Sequence, residues 1–111
     1  MVSVDKRRSG KTVIFACGDK ILLEDIAALR EAFYEAMAEG LDTLVLDLSK
    51  INHIDSSGIS LFVSTKNALS KLNAHLVLAG MIPSVLDIFL KTSLDAYFDI
   101  RPTWSEETSR S

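Results

Sequence analysis

The chain has 111 residues, 48% of them hydrophobic and 24% charged, with a formal net charge of -3. That length gives one domain whose core is large enough to need neither disulfides nor metal. The acidic balance argues against a nucleic-acid partner, which ordinarily meets a basic excess or stripe, and no apolar run reaches the roughly 20 residues that span a bilayer.

Residues 1–11 are polar, with Lys6, Arg7, Arg8 and Lys11 bunched together, and read as a segment that frays or adds an edge strand. They lack the apolar stretch of a secretory signal. The run TVIFA (12–16) reads as a strand, with Gly18, Asp19 and Lys20 as the turn after it. Cys17 is the single cysteine, so no internal disulfide forms. A buried thiol in a reducing cytoplasm is the expected setting.

In LLEDIAALREAFYEAMAEG, Leu22, Ile26, Leu29, Phe33 and Met37 recur at helical spacing and share one face. Glu24 and Asp25 fall in the first turn, where acids suit the helix dipole, and Gly40 ends the helix. TLVLDLS (43–49) alternates little, which predicts a central strand with helices on both of its faces. A second helix is expected from about Ser57 to Leu72, with Leu61, Phe62, Thr65, Ala68, Leu69 and Leu72 on its buried arc. HLVLAG (75–80) is a further buried strand, Pro83 opens a third helix, and AYFDI (96–100) is a last short strand. Strand and helix alternate throughout, so the class is α/β with a mostly parallel sheet, over residues 12–102. The remainder, 103–111, is a polar tail in which Trp104 packs back on the body.

Several chemical readings fail. RSGKT (8–12) ends like a phosphate-binding loop, but Asp5 stands where the pattern needs glycine, and a strand follows instead of a helix. His53, Asp55 and Ser56 carry the atoms of a hydrolase triad without its geometry, since sequence neighbours rarely converge and no GxSxG elbow is present. Two distant histidines and one cysteine make no metal site. His75, at the start of a strand, is expected to be exposed or half-buried.

The seam INHIDSSGIS (51–60) is more informative, because an acid, two hydroxyls and a glycine stand where a buried strand gives way to a helix. Asp55 and Ser56 are good helix caps and are sufficient as such. The same place is also the carboxyl edge of an α/β sheet, where function collects. A hydroxyl there is accessible, and the helix dipole favours an added phosphate by about 0.3–1 kcal/mol. Ile59 and Val63 fall off the buried arc, beside Ser60, Ser64 and Asn67, and suggest an apolar docking patch.

LVLDLSKINHIDSSGISLF and HLVLAGMIPSVLDIFLKTSL together resemble a STAS domain of the anti-sigma factor antagonist type, over roughly residues 12–100. The resemblance implies a single α/β domain with a mostly parallel central sheet of four to five strands. It implies no enzymatic activity and no cofactor. In that family the hydroxyl directly after the acid is phosphorylated, which points to Ser56, with Ser57 as the alternative. The candidate partner surface is Asp55, Ser56, Ser57, Gly58, Ile59 and Val63, with Asp19. The implied partners are an anti-sigma factor that is also a serine kinase, and a PP2C-type phosphatase. CGDKILLEDIAALR keeps the family's Gly18 and Asp19 but has Leu and Glu where its first helix is capped by Thr or Ser. That departure leaves a sigma factor, a cyclic-nucleotide pathway or a two-component pathway open as the output. A scaffold or accessory subunit that is never phosphorylated is the second reading. A small enzyme or ligand-binding protein, with a pocket of convergent polar groups, is the third.

Overall fold

A computed structural model describes residues 2–104. Its elements are β1 (Ser3–Ser9), β2 (Thr12–Ile21), α1 (Ile26–Glu39), β3 (Thr43–Ile54), α2 (Ser56–Lys71), β4 (His75–Ala79), α3 (Pro83–Lys91) and β5 (Asp99–Arg101). Short 3-10 turns at Leu23–Asp25 and Leu94–Ala96 lead into α1 and β5. All five strands join one sheet in the order β1-β2-β3-β4-β5, with β1 antiparallel to β2 and every other pair parallel.

The N-terminal segment is thus an edge strand. Gly10 and Lys11 form its two-residue hairpin loop, and Gly10 takes φ +62°, the positive value that such tight turns require. Alternation splits the basic cluster. Lys6 and Arg8 reach Glu39 of α1, at 2.7 and 3.5 Å, while Arg7 faces the other side of the sheet beside Ile14.

The expected turn at Gly18, Asp19 and Lys20 is not there. β2 continues through all three to Ile21, with register shifts after Ala16 and Asp19. Gly18 serves a close approach, because a Cβ on it would stand 3.1 Å from the Lys50 Cβ. β3 likewise runs beyond the expected Ser49 to Ile54, since the second half of β2 gives it a partner there. The last strand begins at Asp99 instead of residue 96, the 3-10 turn taking its place.

Helices cover one face of the sheet, not two. Strands β2 to β5 stand side by side in sequence order, and right-handed crossovers in one direction put every connecting helix on the same side. Leu44, Leu46 and Leu48 point into that side, against Leu29 and Phe33 of α1, Leu61, Phe62 and Leu69 of α2, and Val85 and Phe89 of α3. Phe33 and Phe15 meet there at a ring-centroid distance of 5.3 Å. The opposite face carries a small cluster of Ile14, Val45, Val77 and Ala79, with Trp104 packed on it. Asp47 and Ser49 line a shallow depression there, so the β3 run is less uniform than its leucines suggest. Leu72, expected on the buried arc of α2, caps that helix and is exposed. Residues 105–111, the rest of the polar tail, lie outside the described residues.

A charged chain ties the short β5 to its neighbours. Arg101 donates to Asp99 from Nε at 3.1 Å and Nη2 at 2.8 Å, His75 Nε2 stands 2.7 Å from Asp99 Oδ2, and the guanidinium covers the Trp104 ring at 5.2 Å. These contacts, Arg101 first, hold the Asp99 carboxyl down at about 2. Its folded-state value is below the unfolded one of about 3.9. The stabilisation is therefore complete above about pH 4 and is lost as the pH falls towards 2.

Two outcomes follow for urea denaturation. Phe33→Ala, at a fully buried ring, lowers stability by about 3–5 kcal/mol. Asp99→Asn is less stable than the wild type at pH 7, and the gap closes between pH 4 and pH 2.

Candidate functional site

β3 pairs with β4 only as far as Asp47, opposite Ala79, but with β2 as far as Ile54, opposite Ile21. The two strands therefore project beyond the sheet as a ribbon. Both end at one point, where β2 turns towards α1 and β3 towards α2. Asp55 occupies that point.

The Asp55 backbone is extended (φ -99°, ψ 179°), as a residue preceding a helix must be. Its Oδ1 accepts from the amides of Ser57 at 3.0 Å and Gly58 at 3.2 Å, and its Oδ2 from the amide of Leu23 at 3.0 Å. One carboxylate thus caps two helical starts, its own and the 3-10 turn before α1. Its own amide donates to the Ile21 carbonyl at 3.2 Å. The start of α1, which lacks a Thr or Ser cap, is completed from within. Asp25 is buried and accepts from the amides of Leu22 at 3.0 Å and Val2 at 2.9 Å. The Leu22 bond is the chief reason its carboxyl lies below the ordinary range.

Gly58 is dictated by packing. A Cβ there would come within 2.7 Å of Ile54 Cγ1 and 2.9 Å of Ile21 Cγ2, both on buried, β-branched side chains. α2 is thereby seated directly on the end of the ribbon. Ser57 is half-buried, whereas Ser56 is exposed at the first position of the helix. Among the described residues, neither the hydroxyl nor the amide of Ser56 makes a hydrogen bond. The Ser57 and Gly58 amides are already taken by Asp55, so among the first-turn amides a phosphate on Ser56 finds that of Ser56 itself unbonded.

Ile59 and Val63 do not stand off the core as an exposed patch. Both are half-buried and pack against the main cluster. The large apolar side chain exposed beside the seam is Leu23, at 71%. Periodicity passes over it, and its only signal in the sequence is a leucine where a polar cap belongs. Asp19 is exposed farther back on the ribbon, opposite Ile51, with no hydrogen bond to the seam.

Other chemistry-bearing residues do not converge on the seam. His53 is exposed on β3 opposite Lys20, and no hydrogen bond joins it to Asp55 or Ser56 among the described residues. Burial, with a smaller contribution from Asp47, pushes the Cys17 thiol up to about 12, so it stays protonated and unreactive at neutral pH. Among the described residues, no three His, Cys, Asp or Glu side chains are grouped to hold a metal, and no helix is long and apolar enough to cross a membrane. The depression of about 230 Å³ beside Asp47 and Trp104, and a groove of about 380 Å³ between Tyr34 of α1 and Leu72 of α2, both lie away from Ser56.

The sequence model of the STAS domain matches residues 3–107. The chain belongs to the STAS domain family. Solved structures share its fold at low identity. An anti-sigma factor antagonist from Mycobacterium paratuberculosis is 20% identical with a TM-score of 0.86, over 99% of this chain and 93% of the other. The anti-sigma factor antagonist SpoIIAA in its unphosphorylated form is 17% identical, TM-score 0.80, over 96% and 92% of the two chains. SpoIIAA, a Bacillus cell fate determinant, in its phosphorylated form is 16% identical, TM-score 0.73, over 96% of each. No curated protein is similar enough in sequence to count as a relative. In this STAS domain the seam between β3 and α2 is thus the end of a ribbon built by β2 and β3, closed by one carboxylate.

Gly58→Ala tests that packing. Helix propensity favours alanine by about 1 kcal/mol, but overpacking against two rigid isoleucines costs about 1–3 kcal/mol. The expected outcome is a net loss of stability, read as a lower urea midpoint with an unchanged slope.

Proposed function

We propose that this STAS domain is an anti-sigma factor antagonist, a non-enzymatic binding module switched by phosphorylation at Ser56. Unphosphorylated, it binds an anti-sigma factor that is also a serine kinase. Phosphorylated, it is released, and a PP2C-type phosphatase restores it. Ser57 is the alternative acceptor. The observation that carries this reading is the exposed, unbonded Ser56 hydroxyl at the first position of a helix whose cap is already filled. The fold shared with an antagonist solved in both states supports it.

In the phosphorylation step the Ser56 oxygen bonds to the γ-phosphorus of ATP, the bond from that phosphorus to the bridging oxygen breaks, and ADP leaves. The hydroxyl proton goes to a base on the kinase. The product carries about -1.5 to -2 charges next to Asp55. Asp55 makes no ion pair among the described residues, and the nearby first-turn amides already serve its Oδ1. Among the first-turn amides only that of Ser56 itself is unbonded, so the new charge depends mostly on water for its compensation. A partner closing over it must desolvate it, at a cost of several kcal/mol, and each 1.4 kcal/mol is tenfold in affinity. Asp55 keeps its three amide donors, so the fold survives while the complex is lost. Such a switch operates where ATP and the kinase are, in the cytoplasm.

The test is incubation with a candidate serine kinase and ATP, followed by mass spectrometry of the peptide that contains the seam. The expected result is one phosphate on Ser56. Ser56→Ala is not labelled and still binds, whereas Ser56→Asp binds at least tenfold more weakly. Wild-type affinity in the fully phosphorylated protein would overturn the switch, and the absence of labelling would favour a STAS scaffold that binds without modification.

A further inference from the structure

Leu23 is the most exposed large apolar side chain among the described residues, and packing gives no reason for it. It is also the residue whose amide Asp55 holds, at 3.0 Å. We infer that Leu23 is an apolar anchor of the partner surface around Ser56, and that Asp55 is the residue that positions it. The inference rests on the site being the docking surface for a serine kinase.

Three observations carry it. The first is continuity. Asp55 precedes Ser56 in sequence and accepts from the Leu23 amide across the end of the ribbon, so the backbone that carries the leucine is tied to the residue next to the serine. A protein that brings the terminal phosphoryl group of ATP to Ser56 must also cover the neighbouring surface.

The second is rigidity. Leu22 before it is tied by its amide to Asp25 Oδ2, and the 3-10 turn that Leu23 begins is closed by Asp25 N to Leu22 O at 2.8 Å. The backbone carrying Leu23 is therefore fixed on both sides and through its own amide. An apolar group presented in this way docks without the ordering cost of a loose loop.

The third is the missing alternative. Ile59 and Val63 are half-buried against the core, which leaves Leu23 to supply the exposed apolar contact at this end of the molecule. The partner surface that fits is an apolar pocket bordering the nucleotide site of the kinase.

The experiment measures affinity for the serine kinase that labels Ser56, loaded with ADP, by titration calorimetry, and the KM of each variant as its substrate. Leu23→Ala is expected to weaken binding about tenfold and Leu23→Glu more, with the loss falling on KM and not on kcat. The side chain takes no part in the three Asp55 bonds, so these variants fold normally. In Asp55→Asn one carboxylate oxygen becomes a donor. Asparagine remains a good cap for α2, so the bond lost is that from Leu23. Hydrogen exchange at the Leu23 amide then accelerates and affinity falls. The double variant Leu23→Ala, Asp55→Asn is expected to bind no worse than the weaker single one, because both act through one contact.

Wild-type affinity in Leu23→Glu would overturn the anchor, and additive losses in the double variant would overturn the positioning role of Asp55. If the wild-type protein binds no serine kinase, the reading of the whole site falls and the anchor with it. Binding that is strong and indifferent to Leu23 sinks the anchor alone.

Discussion

One carboxylate accepting from three amides holds the working end of this molecule together. Asp55 joins the start of α2, through Ser57 and Gly58, to the start of α1, through Leu23. Hydrogen bonds to a charged acceptor are worth about 1.5–3 kcal/mol each, and three on one group leave it little freedom. The Asp of the seam is therefore structural first. The neighbouring Ser56 is exposed and, among the described residues, its hydroxyl is unbonded. Two adjacent positions thus differ sharply, the Asp55 carboxylate bonded three times and the Ser56 hydroxyl not at all among the described residues.

That arrangement depends on the topology of the sheet. Strands in sequence order with right-handed crossovers gather all three helices on one face. Among the described residues the other face carries a small apolar cluster under Trp104, pinned by Arg101 and Asp99. Because β2 and β3 outrun β4, the seam stands at the tip of a two-stranded ribbon. A tip suits a surface that another protein closes over. A small-molecule site would require walls on several sides.

Much of this was legible in the residues. Helical spacing identified Leu29 and Phe33, the apolar runs identified the parallel strands, Pro83 marked the start of α3, and the acid-hydroxyl-hydroxyl-glycine seam marked the capped start of α2. The failures have a common cause. Gly18 and Asp19 carry turn chemistry, but pairing with Lys50 and Ile51 overrides it and extends both strands. The even apolar run of β3 suggested two helical layers, although Asp47 and Ser49 already marked the uncovered side. Ile59 and Val63 were placed by helix angle alone, which gives a direction around the axis without saying what stands opposite.

By itself, then, the sequence determined the α/β class, the positions of the helices and the identity of the capped seam, because each rests on periodicity or on contacts between near neighbours in the chain. Tertiary structure decided which face the helices cover, that Gly58 is demanded by Ile21 and Ile54, and that the Leu23 amide meets Asp55. Those facts depend on groups more than thirty residues apart in the chain, such as Leu23 and Asp55. Local propensity carries no record of such a meeting, which exists only once the strands have paired.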